Sequence, residues 1–447
     1  MKRRVFIEKS LLSTIALSLG SSSLLSCREN LILPDSGYSG KVIIIGAGVA
    51  GLYAGYLLKS KGVDFTILEA TNVAGGRVAK KTDFADFDID LGAQWLHGLN
   101  SILGDLAVKT KTVISEDNST TVFWYQEQLV TSLPVDVAKM VSPSNKKPDI
   151  SYADYATQQG LGDEYKYIVE QLAGDLGADA TDLSIKWTGT YEDEWSSGDN
   201  DYKFEKSFFD LIDQHITSEL AGFIQFGTVV EEIDYSNETI SIKDRLGNNL
   251  EADKVIITVP ITILQDGDIT FIPDLPAEKK EAFGKIGMGA GIKAFLKFRK
   301  KFYDENIAGG EVCAAYADDS VGKTGTDHVL LAFVMGKQAE NLTALGADEP
   351  IAQALIVELD SMYNGEASTN ILAWHIENWT TNPFVKGAYS FDKVGVGNAR
   401  SIAAEPVDRK LYFAGEAMNL NGHHQSVHGA IETGYKEVIR ILKPDVL

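Results

Sequence analysis

Cysteine is nearly absent from this chain of 447 residues: Cys27 and Cys313 are all it has. That excludes a disulfide framework and a cysteine-rich metal or iron–sulfur centre. Histidine is scarce too, and the seven present fall in no carboxylate or cysteine spacing that builds a metal site, so no metal is expected. Positive charge is in the minority, with 41 Lys+Arg against 63 Asp+Glu and a net charge of −22. An electrostatic grip on nucleic acid is thereby excluded, whereas an acidic surface suits solubility or a cationic ligand. There are no internal repeats or low-complexity tracts. What is present, 44% hydrophobic residues, is enough for roughly two to three domains.

The N-terminus has the anatomy of a signal peptide. Lys2, Arg3 and Arg4 precede an uncharged apolar stretch from Ser10 to Leu25, 16 residues long and shorter than the ~20 of a spanning helix. Arg3-Arg4-Val5-Phe6-Ile7-Glu8-Lys9 resembles a twin-arginine export signal, and Leu24-Leu25-Ser26-Cys27 resembles a lipobox whose cysteine is lipidated after cleavage. Residues 1–26 are therefore expected to be a signal peptide and 27–40 a linker. The expected location is the periplasm or the outer membrane of a bacterium, with Cys27 as a lipid tether.

Lys41 to Ile45 is a β-branched run, followed by Gly46-Ala47-Gly48-Val49-Ala50-Gly51 and a helical pattern through Leu58. Strand, glycine turn and helix in that order predict a dinucleotide site: Gly46 permits the turn, Gly48 lets the backbone approach a pyrophosphate, and Gly51 allows close packing. A second apolar strand, Asp64 to Leu68, ends in Glu69, where an acid binds a ribose 2′-hydroxyl rather than a 2′-phosphate. NAD and FAD share this opening.

The next segment, Ala70-Thr71-Asn72-Val73-Ala74-Gly75-Gly76-Arg77, resembles the flavin-dependent amine oxidase family. The resemblance recurs in Leu91-Gly92-Ala93-Gln94-Trp95-Leu96-His97-Gly98, in Trp379 to Ser390, and in Leu411-Tyr412-Phe413-Ala414-Gly415-Glu416 with Val427-His428-Gly429-Ala430. It is to the polyamine oxidase and lysine-specific demethylase branch. The implied fold is α/β, a Rossmann-like FAD domain (41–94, 216–289 and 386–447) interleaved with a mixed α+β substrate domain (95–215 and 290–385). By the same resemblance, Gly76 and Arg77 lie along the pyrophosphate and flavin. Gly92, Ala93, Gln94 and Trp95 pass the flavin's reactive face, and Val230 meets the adenine half through its backbone. Glu416, after Gly415, bonds the ribityl chain or phosphates, and the helix from Val427 aims its amides at the flavin N1–C2=O region. No cysteine falls in that last segment, so FAD is expected to be noncovalent.

For the chemistry, the resemblance puts Lys293 beside a water at flavin N5, Trp379 beside the flavin, Tyr389 in one wall of the amine pocket and His97 against substrate. Read from the residues alone, Lys293 also fits a solvated edge lysine, the aromatics fit ordinary core, and His97 fits a structural histidine. His423, His424 and His428 fall near enough in sequence to join the site. Ser426 stands where many relatives carry a second cage tyrosine. Phe226 to Ile233 and Lys254 to Pro260 read as strands; Tyr152 to Gly174 and Phe204 to Leu220 read as helical.

The activity implied is FAD-dependent oxidation of a polyamine-like amine, by hydride transfer to flavin N5, giving an imine and, with oxygen, hydrogen peroxide. An L-amino-acid oxidase on the same fold is disfavoured because no arginine falls between Arg77 and Arg245 to bind a carboxylate. A flavin-bearing binding or electron-transfer protein is the reading from another class.

Overall fold

A computed structural model describes residues 37–443; residues 1–26, expected to be a signal peptide, Cys27 and most of the expected linker lie outside the described residues. The apolar run after Lys41 becomes the strand Val42–Ile45, buried throughout, as a β-branched run without alternation requires. It pairs in parallel with Phe65–Leu68 on one side and Lys254–Ile257 on the other. Ile224–Gln225 and Leu411–Phe413 complete a parallel sheet of five strands.

Alternate residues of this sheet feed two different cores. Val42, Ile44, Phe65, Ile67 and Tyr412 pack with the helices Val49–Ser60 and Val427–Leu442. Ile43, Ile45, Val255, Ile257 and Phe413 pack with the antiparallel strands Val230–Asp234 and Ile240–Asp244 and the helices Ala277–Lys285 and Ala399–Ala404. This is the expected α/β, Rossmann-like domain. The next strand in the chain, Phe65–Leu68, lies on one side of the first and the distant Lys254–Ile257 on the other, so a crevice opens beyond Ile45, the position where such sheets bind ligands.

A second sheet has seven strands in the order Ile371–Asn378, Gly291–Phe298, His328–Met335, Ala315–Asp318, Asn306–Ala308, Thr121–Tyr125, Gln128–Val130. One face, through Ile292, Ala294, Leu296, Leu330 and Ala332, packs on the helix Asp348–Met362. The other carries Lys293 opposite Phe333 in register. Strand alternation thus assigns one face to core and the other to the site.

Several expected elements are divided. Phe226 to Ile233 is not one strand: Gly227, at φ +67°, turns the chain from the parallel sheet into the antiparallel one. Phe204 to Leu220 begins as the end of a strand, Asp201–Phe204, and becomes the helix Phe208–His215 only after Ser207 caps it. Tyr152 to Gly174 is broken at Gly160, with helices Tyr152–Gln158 and Lys166–Gly174 on either side. Leu96, Leu103, Phe204, Phe208 and Leu211 also pack in the nucleotide-side core, so residues 95–215 contribute to both bodies. Among the described residues no helix is long and apolar enough to cross a membrane.

Candidate functional site

Between the crevice beyond Ile45 and the open face of the large sheet lies a cavity of about 900 Å³. At its nucleotide end the chain turns at Gly46, φ +105°, and the helix Val49–Ser60 starts at Gly48 with no side-chain cap and no acid in its first turn. Its leading amides and positive end are therefore left for an anion. A Cβ at Gly51 would lie 2.0 Å from the Gly46 carbonyl oxygen, so only glycine fits there. A Cβ at Gly48 would meet nothing within 4 Å: the space before the helix is open, with Gly76 bordering it. This cradle, with the cavity that runs on from it, fits the diphosphate and flavin of FAD. No cysteine is among the described residues that line the cavity, in keeping with noncovalent binding.

Glu69 is buried at the end of its strand, and its carboxylate braces the glycine turn as well as lining the cavity. One oxygen accepts the Ala47 amide at 2.7 Å and the other the Thr71 amide at 2.9 Å and hydroxyl at 2.8 Å. Val230 and Arg245 line the same end.

In the middle of the cavity Arg77 donates to the Ala388 carbonyl at 2.7 Å and to Glu416 at 3.0 Å. Glu416 is buried, and its oxygens also accept from Ser390 N, Ser390 Oγ and the Gln425 amide. Burial opposes its charge, but Arg77, Ser390 and Arg400 hold its carboxyl below the usual range. Four protein donors meet the carboxylate, which holds Arg77 and the Ser390 and Gln425 backbones in place at the cavity wall. Gly92 passes so close beneath that a Cβ would sit 1.8 Å from the Arg77 carbonyl oxygen, while Ala93 N donates to that oxygen at 3.0 Å. Gly415, Glu416 and Val427 line the cavity, and the helix Val427–Leu442 opens onto it.

Lys293 is 3% exposed, on a strand paired on both sides, so the solvated-edge alternative does not hold. Its Nζ donates to the carbonyls of Asp90 at 2.5 Å and Gly92 at 3.0 Å and to Gln94 Oε1. The Gln94 amide in turn donates to Asp319 at 3.2 Å. Burial lowers the ammonium to about 8, against the pull of Asp319 and Asp90. An amine poised near neutrality and wired to a buried carboxylate can hold or release a proton at this wall.

Trp379 is buried with its indole N–H donating to the Leu91 carbonyl at 2.8 Å, which fixes the ring at the cavity wall. Tyr389 is held by its hydroxyl, shared between the carbonyls of Gly174 at 3.2 Å and Asp175 at 3.1 Å. His97 lines the cavity with Nδ1 on Asp201 at 2.7 Å, and Trp95 donates to Asp117 at 2.9 Å. Ser426 is occupied as a helix cap: its hydroxyl accepts the Gly429 amide and donates to the His423 carbonyl. His423, His424 and His428 do not join the site. They are buried outside its lining, His423 and His428 against Trp195 and His424 on Asp392. No group of described residues could hold a metal ion.

Reading the sequence missed Asn306, Asp117, Asp175, Glu192, Asp199, Asp201, Phe333 and Met335, all of which line the cavity. None belongs to a nucleotide motif; the register of the large sheet and the loops beside it bring them in, and nothing local in the sequence signals that.

The model of the flavin containing amine oxidoreductase family matches residues 49–157 and 198–442. Human lysine-specific histone demethylase 2 is 25% identical over 475 residues, 97% of this chain and 56% of the relative. Probable polyamine oxidase 4 of Arabidopsis thaliana is also 25% identical, over 93% of this chain and 88% of the relative. The chain spans about half the length of the demethylases it matches. Cyclohexylamine oxidase from Brevibacterium oxydans IH-35A has the same fold, with a TM-score of 0.74 at 18% identity over 92% of this chain and 99% of that one. A putrescine oxidase bound to putrescine superposes with a TM-score of 0.72 at 17% identity over 90% and 98%. Family model, parallel sheet and glycine cradle agree, and the chain belongs to the flavin-containing amine oxidoreductase family.

Proposed function

We propose that the protein is an FAD-dependent oxidase of a polyamine-like amine. The observation that carries this is the charge of the cavity wall: Asp117, Asp175, Glu192, Asp199 and Asp201 line it, and its two arginines are engaged elsewhere. Arg77 is paired with Glu416, and Arg245 bonds Glu231 at the nucleotide end. Such a wall attracts a cationic amine and leaves no arginine for a substrate carboxylate, which weighs against an amino acid. The polyamine oxidases among the relatives support the same reading.

Held at the cradle of Gly46, Gly48 and Gly51, FAD would supply the redox chemistry of amine oxidation, with oxygen as the electron acceptor. The chain's own residues do the rest. Trp379 and Tyr389 orient the amine, and the carboxylates attract its remaining charges. Lys293, with Gln94 and Asp319 behind it, holds or moves a proton in a wall closed to bulk water. A peroxide assay of the purified yellow protein across polyamines, monoamines and amino acids tests the reading; turnover of amino acids in preference to amines would overturn it.

The N-terminal pattern supports export as a lipid-tethered protein. Arg3→Lys with Arg4→Lys should strand it inside the cell, and Cys27→Ala should abolish acyl labelling; normal export or an unlabelled parent would remove the respective claim.

A further inference from the structure

All three acceptors of the Lys293 ammonium come from alternate residues of one short segment: the Asp90 carbonyl, the Gly92 carbonyl and Gln94 Oε1. Where that segment sits decides where the lysine points, and its first residue is anchored on two sides. Asp90 is 2% exposed. Its Oδ1 accepts the Ser207 hydroxyl and, at 3.0 Å, the Phe208 amide, which ties it to the start of the helix Phe208–His215. Its Oδ2 pairs with Lys323 Nζ at 3.4 Å, both side chains being buried. Lys323 also donates to the Lys206 carbonyl.

The pair also brings charge beneath the lysine. Asp319 and Lys323 both belong to the connection between the strands Ala315–Asp318 and His328–Met335, so one loop delivers an acid to Gln94 and a cation to Asp90. The charged groups that face Lys293 are the acids Asp90 and Asp319, the cations Lys203 and Lys323, and Glu377 in register on the next strand. Lys203 has a carboxylate of its own, Asp117 at 3.6 Å, which leaves Lys323 as the cation that answers Asp90. A lone buried carboxylate here would hold the proton on Lys293, and a cation beside it offsets that field.

We propose that Asp90 and Lys323 are positioning residues for Lys293: Asp90 anchors the segment that cradles the ammonium, and Lys323 offsets the charge that this anchor brings beneath it. The lysine keeps its place without being locked in the protonated form, so it stays able to give up a proton at the cavity wall. Neither Asp90 nor Lys323 lines the cavity, and both act through the lysine alone. The inference rests on the amine oxidase reading and adds to it the residues that prepare its proton-handling group.

The test is a charge cycle read by titrating Lys293 in the FAD-loaded protein. Lysine Cε resonances report the titration directly, with Lys293 identified as the signal missing from Lys293→Met, and the flavin absorption band should follow the same step. Asp90→Asn keeps an acceptor for the Phe208 amide but leaves Lys323 uncompensated, so the step should move to lower pH by about one pH unit. Adding Lys323→Met removes that cation and should return most of the displacement. A merely structural anchor gives the opposite pattern, because a second lesion at the same place deepens the first. Should Asp90→Asn not fold, Lys323→Met alone leaves the lysine facing Asp90 and Asp319 without their cation, and its step should move to higher pH. A step that stays in place in these variants, or a double variant displaced further than Asp90→Asn, would overturn the proposal. A parent that oxidises no amine would overturn the oxidase reading, a separate result, since the titration requires no turnover.

Discussion

Arg77 and Glu416, 339 positions apart in the chain, meet at 3.0 Å in the wall of the cavity. The pair joins the segment after the first βα unit to the last strand of the parallel sheet, and it leaves Glu416 with every oxygen bonded. The guanidinium is a quarter exposed and the carboxylate buried. Removing the arginine therefore strands a charge rather than merely deleting a contact. Arg77→Met should destabilise the protein by about 2–3 kcal/mol, less than for a fully buried pair, and Arg77→Met with Glu416→Gln should recover part of the loss. Chemical denaturation of the apoproteins measures both; equal stability of the single and double variants would contradict the pairing.

The two glycines of the cradle should behave differently. Gly51→Ala drives a methyl into the Gly46 carbonyl and should lower the melting temperature of the apoprotein as well as flavin content. Gly48→Ala has room in the protein but occupies the space before the helix, so it should keep the fold and lose FAD affinity. Thermal melts beside flavin absorbance separate the outcomes.

Lys293 should govern the oxygen half-reaction. Lys293→Met should retain FAD while slowing reoxidation on the order of 10²-fold, the cost of one positioned electrostatic group. In the parent the rate should change with pH around 8, the value to which burial lowers the ammonium, and the methionine variant should lack that step. Asp319→Asn removes a charge that favours the ammonium, so the step should move to lower pH. Stopped-flow mixing with oxygen reads all three.

The same shift makes a stability statement. Because the folded-state value lies below the ordinary 10.5, the unfolded chain holds more protons between about pH 8 and 10.5. Parent stability should therefore rise with pH through that window relative to Lys293→Met, by about 3 kcal/mol across it. A constant difference from pH 7 to 10.5 would show that the lysine is not held near 8.

What could be read from the sequence was local. Gly46, Gly48 and Gly51 follow an apolar run, and the backbone they demand is written in consecutive residues. Lys293, Trp379 and Tyr389 were reachable because they sit in recognisable segments. Asn306 and Asp117 were not, since register and loop placement bring them to the cavity, and neither leaves a pattern in its own neighbourhood. For Glu416 a motif points to its place in the cavity, while its protein partners come from positions 77, 390 and 425 and meet it only once the chain is folded.

The most direct measurement is anaerobic addition of a linear polyamine to the purified holoprotein, followed by admission of oxygen. The expected result is bleaching of the yellow flavin band by the amine and, on reoxidation, hydrogen peroxide in equal amount to the flavin reduced. A flavin band that stays unbleached by polyamines and monoamines alike, in protein that carries its full complement of FAD, would contradict the assignment as an amine oxidase.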